Sequence, residues 1–460
     1  MKFLAEHALL PEGWARDVAL EISAEGTLTA VTPGAPGAPV AEGAERIEGF
    51  VVPGMANVHS HAFQRSMAGL TEARTHPTDS FWTWRSLMYG FAGRITPAQV
   101  HDIAAWTYIE MLKAGFTAVG EFHYVHHDEG GKPYADPAET SHRVIAAARE
   151  SGIAITHLPV LYMNGGFGGK PPEPGQQRFV HGAESFAQLL ESLHAGYRET
   201  RDVRIGCAFH SLRAVEPYAL RQVLDVQRRL DDSAPIHIHI AEQVREVADC
   251  LAWSRRRPVE WLLDNAPVDS RWCLVHATHM EPRESRRLAG CGAVAGLCPT
   301  TEANLGDGVF PATEYLAAGG RFAVGSDSHV SVSAIEELRL LEYGQRLTAQ
   351  RRAALATDLR PSPGERLFVD AASGGAQALG IAAGRIEAGA RADLVVLDAA
   401  HPAFWNKQPA QVLDAWVFAG DARCVRDVMV GGAWRVRAGR HPNEAEAAER
   451  FRAAQAALLA

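Results

Sequence analysis

Two histidines separated by one residue, His59 and His61, close an apolar run in VVPGMANVHSHAFQ, residues 51–64. In an extended segment residues i and i+2 share a face, so both imidazoles can meet one ion. A second pair stands in PIHIHIAEQ, where His237 and His239 share a strand face and Glu242 follows His239 by three. The strand can hold a ligand while the residue just past its end aims a carboxylate at the same point. In LVHATH, His276 is the first polar residue after an apolar run, and in FAVGSDSH Asp327 follows a Gly-Ser that permits close backbone approach. Alone, the first pair reads equally well as satisfied polar residues at a strand end, and each of the other fragments reads more readily so than as ligands. Together His59, His61, His239 and Asp327 supply the imidazole and carboxylate donors of a catalytic divalent cation with one position left open for water. Zn2+ fits this set best, and Fe2+ or Mn2+ could occupy it. Such an ion lowers the pKa of its water toward about 7, providing hydroxide at neutral pH. Asp327 can then take a proton from that water, His276 can steady a developing tetrahedral centre, and Glu242 can carry a proton to the leaving group. The set predicts a hydrolase.

Residues so far apart in sequence need a scaffold that gathers strand ends. Helical stretches such as AQVHDIAAWTYIEMLKA (98–114) and AIEELRLLEYGQ (334–345) carry apolar residues at three- and four-residue spacing. Between such stretches lie eight short apolar runs of the kind buried parallel strands show: GFVVPGMANVHSH, FTAVGEFHYV, IAITHLPVLYM, VRIGCAFHSL, PIHIHIAEQ, WCLVHATHM, AVAGLCPTT and FAVGSDSH. Eight strand–helix units predict an α/β fold, a closed (β/α)8 TIM-type barrel, with an open doubly wound sheet as the alternative. The placement of His61, His123, His210, His239, Glu242, His276 and Asp327 at the C-terminal ends of these runs favours the barrel. Residues 1–52 alternate short apolar runs with Gly- and Pro-rich turns, as in LTAVTPGAPGAP, and a similar texture returns in ADLVVLD and in VRDVMVGGAWRVRAGRH, whose Gly-Gly predicts a hairpin. The two ends, 1–52 plus 388–460, are therefore expected to form one small β domain around a barrel spanning 53–387. The Gly/Pro-rich segment 164–177 reads as a long surface loop, either a lid or an insertion without function. The stretch 443–459 reads as an outer amphipathic helix.

The 460 residues carry a net charge of −9 without any block of Lys and Arg, which points away from nucleic acid. No stretch approaches the roughly 18 to 20 apolar residues of a membrane span, and the N-terminus lacks a secretory pattern, so a soluble cytoplasmic protein is expected. Six dispersed cysteines form no Cys-x-x-Cys pair and read as reduced, mostly buried thiols.

The ordered series PGMANVHSH, HIHIAEQ, VHATH, GSDSH and GRIEAGARADLVVLD resembles the amidohydrolase superfamily. That resemblance implies a metal-dependent barrel hydrolase with a β-sandwich made from both chain ends, and a homodimer as its assembly. The His-x-x-Glu of His239 and Glu242, with no Lys at any strand end, is similar to the single-metal deaminase branch. Within it, VHSHAFQRSMAGLTE, DSFWTWRSLMY, EFHYVHH, FHSLRAV and CPTTEANLGDG resemble the enzymes of histidine degradation that convert N-formimino-L-glutamate to N-formyl-L-glutamate and ammonia by attack of metal-bound hydroxide on the formimino carbon. The resemblance assigns substrate contacts to Gln64, Arg85, Tyr124, His210 and Arg213, with Gln64 at the formimino group. A dicarboxylate substrate needs local cations on a chain of this net charge, and Arg85 and Arg213 can each clamp a carboxylate bidentately. Taken singly, either arginine also reads as a surface ion pair, and Arg85, within FWTWRSLMY, as a packed structural residue. A deaminase of a purine, pyrimidine or triazine ring, and a non-catalytic scaffold barrel, are the competing expectations; the scaffold is disfavoured because every candidate ligand is present.

Overall fold

The computed structural model describes residues 1–34, 43–74 and 77–460, so the last residues of LTAVTPGAPGAP, 35–39, lie outside the described residues. Two sheets organise the chain. The first contains β1 (Lys2–Leu10), β2 (Gly13–Ile22), β3 (Leu28–Thr32) and β4 (Glu45–Pro53). The second is parallel and takes the middle of the chain: β5 (Met55–Ser60), β6 (Phe116–His123), β7 (Ala154–Leu161), β8 (Val203–Ile205), β9 (Cys207–Phe209), β10 (Ile236–Ile240), β11 (Trp272–His276), β12 (Val294–Leu297) and β13 (Arg321–Val324). The chain then returns to the first sheet with β14 (Leu394–Leu397), β15 (Val425–Val430) and β16 (Ala433–Val436), giving the order β16-β15-β14-β4-β1-β2-β3.

The parallel sheet runs β13-β12-β11-β10-β9-β7-β6-β5, and β8 and β9 are two pieces of one strand broken at Gly206. Eight strand positions therefore surround the axis, as the eight apolar runs predict. The ends of the sheet meet at their C-terminal tips, where Ser60 bridges Asp327, Asp327 N donates to His59 O at 3.0 Å and His61 N donates to Asp327 O at 3.1 Å. Lower down, the helix Pro363–Leu379 fills the seam: a Cβ on Gly374 would lie 2.0 Å from Phe322 O, and one on Gly375 would touch Ala56. Burial on both faces explains why these strands are nearly continuous apolar runs.

The small domain is built from both ends of the chain. It is one mixed sheet that curls until Phe3 of β1 and Trp434 of β16, with three strands between them, meet edge-to-face at 5.9 Å. Its inner face, including Phe3, Leu20, Ile47, Val396 and Met429, forms a core separate from the barrel's. The predicted hairpin joins β15 and β16, with Val430 opposite Ala433 and positive φ at both Gly431 and Gly432, the backbone a two-residue turn requires. The run GFVVPGMANVHSH proves to be two strands rather than one. Phe50–Pro53 belong to β4 and residues 55–60 to the barrel, and the chain changes sheet at Gly54, where any Cβ would collide with Thr117 at 2.2 Å. The C-terminal helix Glu444–Leu459 packs outside, on the helix Pro97–Lys113, with Phe451 against Trp106. No disulfide forms, and five of the six cysteines are buried. Among the described residues no helix is long and apolar enough to cross a membrane.

Candidate active site

The site forms where the strand tips are pulled together. His59 is the fifth residue of β5 and fully buried, and His61 follows the strand directly. Gly325 allows the end of β13 to press against them: a Cβ there would sit 2.7 Å from His59 N. Asn57 locks the seam by donating to Ser326 Oγ at 2.6 Å and accepting from Ser326 N at 3.1 Å. Below, the Glu121 carboxylate accepts from Ser60 Oγ at 2.5 Å and Ala62 N at 2.8 Å, and Ser60 also meets His329 Nε2 at 3.0 Å. Several residues at these tips adopt the left-handed backbone, including His276 (φ 67°) and Asp327 (φ 47°). For a residue with a Cβ that conformation costs roughly 1–2 kcal/mol, a strain concentrated at the functional end of the barrel.

The structure brings the four predicted ligands together. Nε2 of His59 and of His61 lie 3.5 and 3.4 Å from Asp327 Oδ1, and Nε2 of His239 lies 2.9 Å from Nε2 of His59. The ligand atoms of His59, His61 and His239 all fall within 4.8 Å of one another, as do those of His59, His276 and Asp327. His61 Nδ1 faces Phe122 O at 2.8 Å and His239 Nδ1 faces His210 O at 3.0 Å. A carbonyl can only accept, so both Nδ1 atoms carry the proton and both Nε2 lone pairs point at the common centre. Burial lowers the pKa of all three imidazoles, for His59 to about 3, so they are neutral and able to ligate. Burial acts to raise Asp327, but its contact with His59 and the positive charge of His276 outweigh it and hold the carboxyl below the usual carboxylate range. Neutral nitrogen lone pairs facing one another beside a buried carboxylate are a donor set that fits a divalent cation.

Beside this centre, Glu242 Oε1 and Asp327 Oδ2 each lie 3.8 Å from His276 Nε2. Burial pushes Glu242 up to about 7, opposed by His276 and Arg213, so the acid form is available to it near neutrality. Burial disfavours charge on His276, yet Glu242, the hydrogen bond to Glu302 and Asp327 bring it to about 10.

A chamber opens from the cluster and is lined by His61, Gln64, Arg85, Tyr124, His210 and Arg213, together with His239, Glu242, His276 and Asp327. All the residues assigned by resemblance thus face one space. Gln64 Nε2 donates to Tyr124 Oη at 3.0 Å, while Gln64 Oε1, Arg85 Nε and Arg213 Nη1 are buried atoms with no protein partner. Among the described residues neither arginine has an ion-pair partner; both guanidinium groups lie over Trp82, at 4.7 Å for Arg85 and 5.5 Å for Arg213. Arg85 is accordingly both packed and directed at the chamber. Two residues of the sequence pattern stay out. His123 meets Thr140 Oγ1 at 3.0 Å and packs against His126 and His157, and His237, one layer below His239, meets Ala378 O at 2.8 Å.

Sequence reasoning missed the rest of the lining. Trp84, Met88 and Tyr89 reach the chamber from the helix Phe81–Ala92, and Tyr162 and Phe179 from the ends of the segment 164–177. That segment is anchored: buried Gln176 donates to Tyr162 Oη at 2.5 Å and Tyr89 Oη at 3.1 Å. The aromatic density of FWTWRSLMY was the one available signal. Glu302, inside CPTTEANLGDG, gave none.

Residues 50–435 match the amidohydrolase family, and residues 1–46 match the N-terminal domain of formimidoylglutamate deiminase HutF. The chain belongs to the amidohydrolase family. It is 56% identical over 447 residues to the formimidoylglutamate deiminase of Pseudomonas aeruginosa, covering 97% of each chain. The 8-oxoguanine deaminase of the same organism is 30% identical, over 89% of this chain and 88% of that one. A crystal structure of an amidohydrolase from Brucella melitensis superimposes with a TM-score of 0.93 at 48% identity, covering 100% of both chains. A zinc-bound adenosine deaminase from Xanthomonas campestris shares the fold with a TM-score of 0.81 at 22% identity, over 100% of this chain and 98% of that one.

Proposed function

We propose that this protein hydrolyses N-formimino-L-glutamate to N-formyl-L-glutamate and ammonia, a step of histidine degradation. The observation that carries the reading is a chamber with a metal-competent cluster and two guanidinium groups, buried Arg213 and half-buried Arg85, each with a buried nitrogen lacking a partner among the described residues, in a chain 56% identical to a formimidoylglutamate deiminase. A ring amine would leave both guanidinium groups without an acceptor, at a cost that disfavours the competing deaminase reading.

His59, His61, His239 and Asp327 would hold the ion, with Zn2+ the best match to the donors. When bound, that ion supplies Lewis-acid activation of water and of the formimino group. Asp327 accepts a proton from the attacking water. His276, its Nε2 directed at Asp327 and Glu242, donates toward the group that develops charge at the tetrahedral carbon. Glu242 in its acid form and then the proton held on Asp327 supply the two protons that turn the imino nitrogen into ammonia; the C–N bond breaks, the oxygen of water stays on the formyl carbon, and its second proton returns to Glu242. Gln64 Oε1 accepts from the formimino N–H, with Tyr124 holding the amide in place. Arg85 and Arg213 take the two carboxylates, and His210 faces the same chamber while its carbonyl orients His239.

The direct test offers metal-replete protein N-formimino-L-glutamate and measures ammonia and N-formyl-L-glutamate; turnover of a ring amine in place of this substrate would overturn the assignment. Arg213→Lys is expected to raise KM about 10- to 100-fold, because a point charge cannot reproduce a bidentate clamp worth roughly 1.5–3 kcal/mol. Steady-state kinetics check this, and an unchanged KM returns Arg213 to a packing role.

A further inference from the structure

His276 ends β11 in a left-handed backbone conformation, φ 67°, so strand geometry does not dictate where its ring points. Its Nε2 is 3.8 Å from both Glu242 and Asp327, too far for a hydrogen bond to either. Ring packing restrains it only loosely, with the nearly parallel imidazole of His239 at 5.6 Å. The hydrogen bond that remains joins His276 Nδ1 to Glu302 Oε1 at 3.3 Å. Glu302 is itself held. It lies in the short helix Pro299–Leu305 after β12, is only 4% exposed, and accepts from the backbone N–H of Cys298 at 2.9 Å through the same Oε1. A buried carboxylate anchored to the backbone of one strand tip thus grips the imidazole of the next.

We propose that Glu302 is the positioning residue for His276: by accepting from Nδ1 it sets the rotation of the ring and turns Nε2 toward the space between Glu242 and Asp327, where the reacting carbon is held. The inference rests on the reaction proposed above, in which His276 acts at that carbon. Glu302 does not line the chamber and touches neither the proposed metal ligands nor the arginines, so its effect should fall on the chemical step. Partners that orient an active-site imidazole typically contribute about 10- to 100-fold.

Two variants and two readouts test this. Glu302→Ala is expected to lower kcat about 10- to 100-fold while KM and bound metal stay unchanged. Glu302→Gln keeps an Oε1 acceptor for both N–H groups and is expected to restore kcat to within about threefold of the parent, a deficit under 1 kcal/mol. In 15N-histidine-labelled protein with metal bound, the hydrogen-bonded Nδ1–H proton of His276, identified by its loss in His276→Gln, should disappear in Glu302→Ala and persist in Glu302→Gln. Glu302→Ala with undiminished kcat, or Glu302→Gln falling as far as Glu302→Ala, overturns the proposal. So does a His276 Nδ1–H signal indifferent to both substitutions. The resonance needs no substrate: a parent protein inactive on N-formimino-L-glutamate refutes the substrate assignment, while the resonance still decides the role of Glu302.

Discussion

Asp327→Asn is expected to reduce kcat at least about 1,000-fold, within the range that a general base contributes and increased by the loss of an anionic ligand. The substitution is unusually clean for a residue in a strained backbone. Asp327 sits at φ 47°, a conformation Asn tolerates as well as Asp, so the tip of β13 and its hydrogen bonds to His59 and His61 should survive. What disappears is the capacity to accept a proton and the charge that His59, His276 and His61 surround. Kinetics and metal content measured on the same preparation check this. A variant that keeps its metal and more than a tenth of the parent kcat would remove the base role from Asp327.

Glu242→Gln is expected to cost about 100- to 10,000-fold in kcat, since the amide keeps the shape of the side chain but has no proton to give a departing nitrogen. The pH profile makes the prediction specific. Burial raises the Glu242 carboxyl to about 7, and an acid is protonated below its pKa. The donor is therefore present on the acid side and lost as pH rises through about 7. In the parent, kcat/KM should decline above that point, and in Glu242→Gln that alkaline limb should vanish. An identical limb in the variant would assign it to another group. Arg213 lies close enough to oppose the rise, so Arg213→Lys, if it withdraws positive charge from Glu242, should move the limb to higher pH.

The residues at strand tips were legible in the sequence for a local reason. A parallel strand buried on both faces is written as a short apolar run, and the first polar residue after it is necessarily at the C-terminal rim. That logic places His61, His239, His276 and Asp327 at the rim, and the structure brings all four to one centre. It also over-reached. His123 satisfies the same rule yet turns to Thr140, and His237, which shares the strand face of His239, lies a layer lower and meets the carbonyl of Ala378. The run GFVVPGMANVHSH reads as a single strand because the residues on either side of the Pro53-Gly54 turn are buried alike, although the chain changes sheet at Gly54, where a Cβ would collide with Thr117.

By itself, then, the sequence determined the class of fold and the donor types at the metal-competent centre, since each follows from period, spacing or side-chain chemistry within a short window, while the two arginines came from the family resemblance. Tertiary structure alone decided what those residues lean on. Glu302 meets His276 across 26 positions, Gln176 meets Tyr89 across 87, and Asn57 meets Ser326 across 269. No local pattern encodes such contacts. They arise when barrel closure brings distant strand tips and loops within hydrogen-bond range and burial leaves each polar atom only the partner it finds there.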